Sequence, residues 1–513
     1  MSRTKNVLRN SAWGIIYRLV TMIGPFIIKT IIIHELGIQY NGINGLFTSI
    51  LTVLNLTNLG FASSLVYMMY KAVAEDDKES LGAYLNYFKK VYRIIGSVIL
   101  IMGLALLPFL NVFVKGETPS DLNLHILFVI FLLEVVFDYI LFSYNTSLFT
   151  AYQREDITLK IQTVRYIIQY TIQALVLAVF KNYYLYAIFL PIMVILNSIG
   201  YYIKARKEYP DIVCEGSLSE RDKKQIYQKV FTLFGHNLGN TFLVSVDNII
   251  ISAYLGLNSV SIYSNYNYVQ TAVNGLIQVF TGGSLSAIGN KLITDTKESN
   301  YKFFLIMHYV WLGLVGISAA FMLSLFQPFI VFWAGEQYLL TNLEMYFVVI
   351  YFYAWVFRIM TLTYRNAAGL WTIDWLKPYI GMFINLVGSI WMIQVTQSVI
   401  GVLVPTIFVF FFIYFPWEAY AVIKYKFNMN RKEFYKKIIY LIFVTLIGSL
   451  LSYYISINIS PLNNLKSFII RFLVVLIVFP IIWVGFTFNM DEFEYTKNRI
   501  NVFIKKQFAR MRG

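Results

Sequence analysis

The chain has 513 residues, of which 58% are hydrophobic and 13% are charged, and its mean hydropathy is +0.62. A soluble protein of this length carries roughly 25% charged residues. The composition therefore excludes a soluble globular protein and predicts an all-α, polytopic membrane protein. The apolar runs are continuous and do not alternate with polar residues, which excludes a transmembrane β-barrel.

About fourteen apolar stretches are long enough to cross the hydrocarbon, which takes about 20 residues each. The predicted spans are 12–33, 43–70, 91–114, 123–151, 157–180, 183–203, 230–254, 263–289, 303–326, 341–364, 378–395, 399–423, 438–457 and 467–488.

The Lys and Arg residues fall almost entirely on one side of these spans. The two termini and every second loop carry 34 of them, whereas the intervening loops carry three. Because positive charge marks the cytoplasmic side, both termini are predicted to lie in the cytoplasm. The net charge of +15 is thus a signal of topology, and it calls for no nucleic-acid partner. The single cysteine, Cys214, excludes an internal disulfide.

The two halves of the chain resemble each other at an offset of about 219 residues. Leu36-Gly37 matches Leu255-Gly256, and Lys78-Glu79 matches Lys297-Glu298. The repeat unit contains six spans, an even number, so both copies enter from the same side and form a parallel repeat. Transport folds of this kind bind their substrate between the two lobes.

These observations predict five regions. They are an N-lobe (1–206), a cytoplasmic linker (207–228), a C-lobe (229–424), two trailing helices (425–488) and a basic cytoplasmic tail (489–513) that lies on the inner leaflet.

Polar residues form one-sided stripes on several predicted spans. On span one, Arg18, Thr21 and Lys29 share one helix face, and an offset of 219 places Asn237, Asn240 and Asn248 at the matching positions. The other cavity-lining candidates are Gln162, Arg165 and Gln169 on span five, Asn267 and Gln270 on span eight, and Arg358 on span ten.

Carboxylates also lie inside the apolar runs. Asp247 is flanked by two such runs, in "SVDNIIISAYLG" (245–256), and Glu134 and Asp138 share a face of span four. Such a group costs about 2.5–3.5 kcal/mol at the bilayer centre on insertion scales, so it usually faces protein or water. We therefore expect Asp247 to face a hydrated cavity between the lobes.

The predicted cavity carries one more positive charge than negative charge. Arg18, Lys29, Arg165 and Arg358 suit an anionic, phosphate-like head group, because the guanidinium group donates two parallel hydrogen bonds. Amides and tyrosines suit sugar hydroxyls. The same residues fit a proton or sodium relay. Alternatively, these residues bind no ligand: the arginines reach toward lipid head groups, and the acids neutralise neighbouring cations.

Several classes of function have no support in the sequence. There is no GxxxxGK[ST] phosphate loop, no HExxH and no CxxC, and the four histidines are scattered. We expect no catalytic residue, metal site or cofactor. The predicted outer loops are short, which disfavours a membrane polymerase that must hold its substrate outside.

Two segments resemble bacterial polysaccharide flippases of the O-antigen, capsule and exopolysaccharide type, in the multidrug/oligosaccharidyl-lipid/polysaccharide (MOP) exporter superfamily. They are "KNVLRNSAWGIIYRLVTMIGPFIIKTIIIHELGIQYNGINGLFTSIL" (5–51) and "VDNIIISAYLGLNSVSIYSNYNYV" (246–269). The resemblance covers essentially the whole chain. It implies two six-helix lobes plus two trailing helices, in a multi-pass protein of the bacterial cytoplasmic membrane.

The resemblance implies export of an undecaprenyl-diphosphate-linked oligosaccharide to the outer leaflet by alternating access. The cationic cavity would comprise Arg18, Lys29, Arg165 and Arg358, with Asp247, Asp138 or Glu134 as ion-coupling groups. Membrane lipids, a proton or sodium gradient and other polysaccharide-assembly proteins are the expected partners. A multidrug or toxin exporter of the same superfamily is the alternative, and a membrane-embedded polymerase is a third.

Overall fold

The computed structural model describes residues 3–55, 61–116, 118–461 and 463–512. Within these ranges, the side chains of residues 3–8, 61–64, 229, 231–233, 279, 283, 286, 503–504 and 506–512 lie outside the description. Every regular element of the described chain is a helix, which confirms the all-α class. The chain forms two compact units, Met1–Ser261 and Ile262–Gly513.

Among the described residues, nine helices begin within the first unit and end before its boundary. They are α1 (Arg3–Ile31), α2 (Ile38–Leu54), α3 (Phe61–Ala74), α4 (Lys78–Leu106), α5 (Leu124–Ile140), α6 (Thr146–Ala151), α7 (Glu155–Phe180), α8 (Tyr183–Glu208) and α9 (Glu220–Leu255). A π-helical turn, Ile32–Leu36, extends α1, and a 3₁₀ segment, Leu107–Phe113, extends α4.

The remaining helices belong wholly or largely to the second unit. They are α10 (Leu257–Thr294), α11 (Lys297–Trp333), α12 (Asn342–Phe357), α13 (Ile359–Ala367), α14 (Lys377–Thr396), α15 (Ile400–Phe408), α16 (Phe415–Tyr420), α17 (Arg431–Ile459), α18 (Leu465–Thr487) and α19 (Asp491–Arg512). A π-helical segment, Val409–Tyr414, joins α15 to α16, and a second, Ala421–Phe427, extends α16.

Eleven described helical segments are long and apolar enough to cross a membrane, or twelve if Leu124–Ile140 and Ser143–Ala151, bent by 46°, count as one. Two of the fourteen predicted spans are not among them. Residues 56–60 of span 43–70 lie outside the described residues. Span 263–289 lies within α10, a 38-residue helix that is rich in Asn, Gln, Ser and Gly.

The helix boundaries repeat at the offset read from the sequence. Gly37 and Gly256 both have a positive φ, 108° and 89°, and each immediately precedes a helix, α2 or α10. Likewise α4 begins at Lys78 and α11 at Lys297. Glycine adopts such a φ at little steric cost, so the two Leu-Gly pairs mark the same turn in both halves.

Helix α9 lies in the first unit, where it packs against α2 and α3. The predicted lobe boundary at residue 229 would place this helix in the second lobe. The two compact units therefore do not coincide with the predicted lobes. The five regions remain a prediction about how the chain is divided for function.

The trailing helices α17 and α18 pack closely on α11. The Ser449 hydroxyl donates to the Gly316 carbonyl at 3.0 Å, and Arg471 donates to the carbonyls of Ser324 and Ser460 at 3.2 and 2.9 Å. Small residues let helix backbones approach each other in a membrane, and buried polar groups there need such partners. These contacts make the two helices part of the second unit.

In the first unit, α1 packs along α7, and this contact brings the stripe on span one to the stripe on span five. A Cβ added at Gly24 would lie 2.0 Å from Cδ2 of Tyr170, whose ring stacks on that of Tyr166. The helices can approach only because position 24 has no side chain.

Gly24→Ala should therefore lower the thermal stability of the detergent-solubilised protein, because either the Tyr170 ring or helix α1 must move. Overpacking of this kind costs about 1–3 kcal/mol. Gly14→Ala is the matched control, since nothing lies within 4 Å of a Cβ there. Equal melting temperatures for the two variants would contradict the close packing of α1 on α7.

Candidate functional site

The two cations predicted on span one lie on α1, but they differ in exposure. Arg18 is exposed, and Lys29 near the end of the helix is half-buried. The intervening Thr21 hydroxyl donates to the Tyr17 carbonyl at 2.9 Å and therefore stays on its own helix. Arg18 is thus the more accessible of the two cations.

Arg165, predicted on span five, lies on α7 opposite an acid from α5. Its Nη2 is 3.6 Å from Oε1 of Glu134, and the two side chains are 11% and 28% exposed. The guanidinium carbon lies 4.5 Å from the ring centroid of Tyr166. The buried Nε of Arg165 has no hydrogen-bond partner among the described residues. One long ion pair uses little of a group with five N–H donors.

Asp138, one turn beyond Glu134, accepts a hydrogen bond of 2.9 Å from the Ser143 hydroxyl. The same hydroxyl lies 3.2 Å from that of Ser198 on α8. Asp138 is exposed, and it lies near the bend between α5 and α6. The structure therefore brings Glu134 and Arg165 together, with Asp138 beside the bend.

Two of the three glutamines of span five are buried and hydrogen-bonded, and the third is half-buried. Gln169 is buried and donates to Gln173 at 3.4 Å, and Gln173 in turn donates to the Tyr186 carbonyl on α8 at 3.1 Å. This chain of amides joins α7 to α8. Gln162 is half-buried.

Asp247 on α9 is fully buried, at 0% exposure. Its neighbour Asn248 is also buried and donates to the Ser49 hydroxyl on α2 at 2.9 Å. Asn237 and Asn240 are half-buried on the same helix. The expectation that Asp247 is open to water does not match this structure, because α9 packs tightly against α2. Its proposed role in ion coupling remains a prediction.

The candidates of the second unit lie mainly in packed environments. Gln270 on α10 is fully buried and donates to the Val348 carbonyl on α12 at 2.6 Å, while Asn267 is half-buried. Arg358 is 3% exposed, and its Nη1 lies 2.6 Å from Oε1 of Glu418 on α16. Arg358 is therefore already bound to a carboxylate within its own unit.

Arg358 belongs to a buried network of five charged side chains. Lys377 lies 2.7 Å from both Glu418 and Asp374, and Arg365 lies 2.6 Å from Asp374. All five side chains are at most 3% exposed. Three cations and two carboxylates thus join α12, α13, α14 and α16, which gives a formal charge of +1.

Of this network, only Arg358 was predicted from the sequence. Glu418 lies inside predicted span 399–423, and a carboxylate in an apolar run was the signal that could have revealed it. Arg365, Asp374 and Lys377 fall in or beside a predicted loop, where charge is ordinary. Only the folded chain shows that they are buried.

A cavity of about 660 Å³ lies between α1, α7 and α8, and we name it the α1–α7–α8 pocket. Its charged lining consists of Arg9, Arg154, Asp156, Lys160, Arg165 and Lys204. Its apolar lining includes Trp13 and a run of aliphatic residues from α7 and α8. The pocket lies entirely within the first unit, and Arg165 is part of its lining.

The architecture has the fold of MOP-superfamily transporters. A lipid II flippase, MurJ, in an inward closed conformation matches with a TM-score of 0.63 and 16% identity, over 94% of this chain and 99% of the other. An inward-facing multidrug resistance MATE transporter of the MOP superfamily matches with 0.58 and 12%, over 77% and 91%. A MATE transporter from Vibrio cholerae matches with 0.55 and 14%, over 82% and 95%.

Residues 7–288 match the family model described as polysaccharide biosynthesis protein. The chain belongs to this polysaccharide biosynthesis family, which confirms the resemblance seen in its sequence. No curated protein sequence matches the chain significantly. The helices and the family together define a multi-pass membrane protein of the polysaccharide biosynthesis family.

The buried network should be sensitive to the loss of one carboxylate. Asp374→Asn leaves Arg365 and Lys377 short of a counter-charge in a dry site, and such a loss costs about 3–5 kcal/mol. Asp211→Asn is the matched control, because Asp211 forms an exposed pair with Lys78 at 2.8 Å, and exposed pairs contribute at most about 1 kcal/mol. Melting temperatures of the purified variants provide the test; similar losses in both would contradict the network's importance.

The Asp374 carboxyl should also make the thermal stability of the protein depend on pH. Burial alone would raise the pKa of Asp374, but the Lys377 ammonium and the Arg365 guanidinium outweigh burial and lower that pKa below its ordinary value of 3.8. The resulting stabilisation is complete above the unfolded-state pKa and is lost as pH falls through the folded-state pKa. The melting temperature should therefore fall as pH drops from about 5 to about 3. Asp374→Asn should fall less across that window.

Proposed function

We propose that the protein is a flippase that moves an undecaprenyl-diphosphate-linked oligosaccharide from the cytoplasmic to the outer leaflet. The product would supply the synthesis of a surface polysaccharide such as capsule, exopolysaccharide or O-antigen. Membership of the polysaccharide biosynthesis family supports the pathway, and the MOP-type fold supports transport rather than catalysis.

The observation that carries the proposal is the environment of Arg165. This guanidinium lies among apolar helices, on the wall of a cavity of about 660 Å³, with one long ion pair and a spare donor. A charge at membrane depth is costly and is usually kept for a ligand or a pathway. An arginine with free donors suits the oxygens of a diphosphate, which accept paired hydrogen bonds.

Arg18 and Lys29 extend the same cationic surface along α1. Because α1 packs on α7, both helices present cations within the first unit. Arg358 is bound by Glu418, so the proposed head-group site rests on Arg18, Lys29 and Arg165. The half-buried amides of Gln162, Asn237 and Asn240 are proposed to meet sugar hydroxyls.

We further propose that transport proceeds by alternating access and is coupled to a proton or sodium gradient. Glu134 and Asp138 are the carriers best placed for this role, because neither is fully buried, whereas Asp247 is. Glu134 pairs with Arg165 when no substrate is bound. When a diphosphate binds Arg165, the carboxylate loses this partner and can bind a proton or a sodium ion.

The distribution of positive charge supports a location in the bacterial cytoplasmic membrane with both termini in the cytoplasm. In this orientation the α1–α7–α8 pocket lies toward the cytoplasm, since Arg9 is near the start of α1 and Lys204 is near the end of α8.

A multidrug or toxin exporter is the second candidate, and the likeness to MATE transporters favours it. A cationic drug would call for an acidic site. The α1–α7–α8 pocket has five cations and one carboxylate in its lining, which suits an anion better. A polymerase is the third candidate and has no support from the fold.

Depletion of the protein in its host tests the proposal directly. Complete undecaprenyl-linked repeat units should accumulate while the surface polysaccharide is lost. Unchanged lipid intermediates would contradict the proposal and favour drug efflux. Loss of long polymer beside normal outward-facing repeat units would point to a polymerase.

The double variant Arg18→Ala/Arg165→Ala should reduce export at least tenfold, because hydrogen bonds from a charged group contribute about 1.5–3 kcal/mol each. Surface polysaccharide is the readout, and membrane content of the protein is measured alongside it. Arg93→Ala/Arg221→Ala is the matched control, since both arginines are exposed on other helices. Full export in the first variant would overturn the assigned head-group site.

A further inference from the structure

The α1–α7–α8 pocket has a charged end that the proposed head-group site does not use. One carboxylate there binds two arginines: Asp156 lies 2.8 Å from Arg9 Nε and 3.0 Å from Arg154 Nε. Asp156 is 8% exposed, so this cluster is fixed and largely dry. Arg154 Nη1 also lies 3.7 Å from Glu208, so the two guanidiniums face two carboxylates.

Two lysines bring this end to four cations against the two carboxylates Asp156 and Glu208, which leaves an excess of positive charge. The Lys160 ammonium lies 5.8 Å from the ring centroid of Trp13, an aromatic contact that leaves its charge unneutralised. Lys204 lies 2.6 Å from Glu208, which does not line the pocket. Lys160 is exposed and Lys204 is half-buried, so both can turn toward an anion in the pocket.

Beyond the charged end, the lining is mainly aliphatic, with Arg165 and Asn197 as its polar members. Ile157, Ile161, Val164 and Ile168 line it from α7 at intervals of four, three and four residues, which places them on one helix face. At 1.5 Å per residue, this face extends for about 16 Å from the charged end. Val164 and Ile168 are 47% and 46% exposed.

We propose that the pocket binds an anionic phospholipid of the leaflet at the α7 N-terminus, with its phosphate between Lys160 and Lys204 and one acyl chain along α7. A basic pocket between transmembrane helices at the cytoplasmic side suits such a head group. A volume of about 660 Å³ holds a phospholipid head group with part of one chain and is small for a complete oligosaccharide. Arg165 lines the same cavity, so a phospholipid bound here would lie beside the proposed head-group site and would be distinct from the translocated substrate.

The test uses Trp13 as the reporter, in full-length protein reconstituted in vesicles. Brominated phosphatidylglycerol or brominated phosphatidylcholine is mixed into the bilayer, and tryptophan quenching is measured. The difference between the parent and Trp13→Phe isolates the signal from the pocket. We expect phosphatidylglycerol to quench Trp13 at roughly tenfold lower mole fraction than phosphatidylcholine, given the added attraction of two nearby lysines.

Lys160→Ala/Lys204→Ala should abolish this preference, and Lys160→Arg/Lys204→Arg should retain it. The matched control is Lys90→Ala/Lys207→Ala, which removes two exposed lysines outside the pocket lining and should leave the preference intact. Equal quenching by the two lipids in the parent, or loss of the preference in the control, would overturn the proposal.

A competition experiment separates the two sources of a lipid phosphate. Unlabelled phosphatidylglycerol should relieve the quenching, whereas an equal amount of undecaprenyl phosphate should not. Selective relief by undecaprenyl phosphate would overturn the phospholipid assignment and place the pocket on the route of the carrier lipid. Because export and quenching are separate readouts, failure of this inference leaves the proposed function standing.

Discussion

Buried carboxylates in both units hold cations at the junctions between helices. Asp156 binds Arg9 and Arg154 and thereby ties the start of α1 to α7. Asp374 binds Arg365 and Lys377, and Lys377 continues the network to Glu418. Since an isolated charge is strongly disfavoured away from water, each member needs the others in place. The pairs of the first unit hold the helix ends that border the pocket. Those of the second unit hold the helices of its core.

The consequence for function differs between the units. In the second unit the cations and carboxylates pair at 2.6–2.7 Å and are almost fully buried, so they hold the helices of the core together. In the first unit, Arg165 keeps only a 3.6 Å contact with Glu134 and lines an open cavity. A guanidinium with spare donors can exchange its partner for an anion, whereas one held at 2.6 Å in a dry network cannot do so without a large penalty. The first unit is therefore the better place for ligand chemistry.

The charged residues of the site could be predicted from the sequence, but whether each one meets water, lipid or protein could not. Arg165 and Glu134 were both singled out because charge in an apolar run is exceptional, and the structure brings them together. The same reasoning placed Asp247 beside water, yet its side chain is fully buried. Helical periodicity gives the face of a helix on which a residue lies, but it does not say whether that face meets water, lipid or another helix.

The sequence by itself determined the all-α class, most of the spans, the internal repeat and the family, because each depends on local composition or on spacing along the chain. The long apolar runs require helices, since a membrane offers no partner for the backbone. Only the tertiary structure decided which charges meet. Lys377 and Glu418 are 41 positions apart, and Arg9 and Asp156 are 147 apart. Contacts at such separations arise from helix packing, which no local pattern encodes, and these contacts form the buried networks and the α1–α7–α8 pocket.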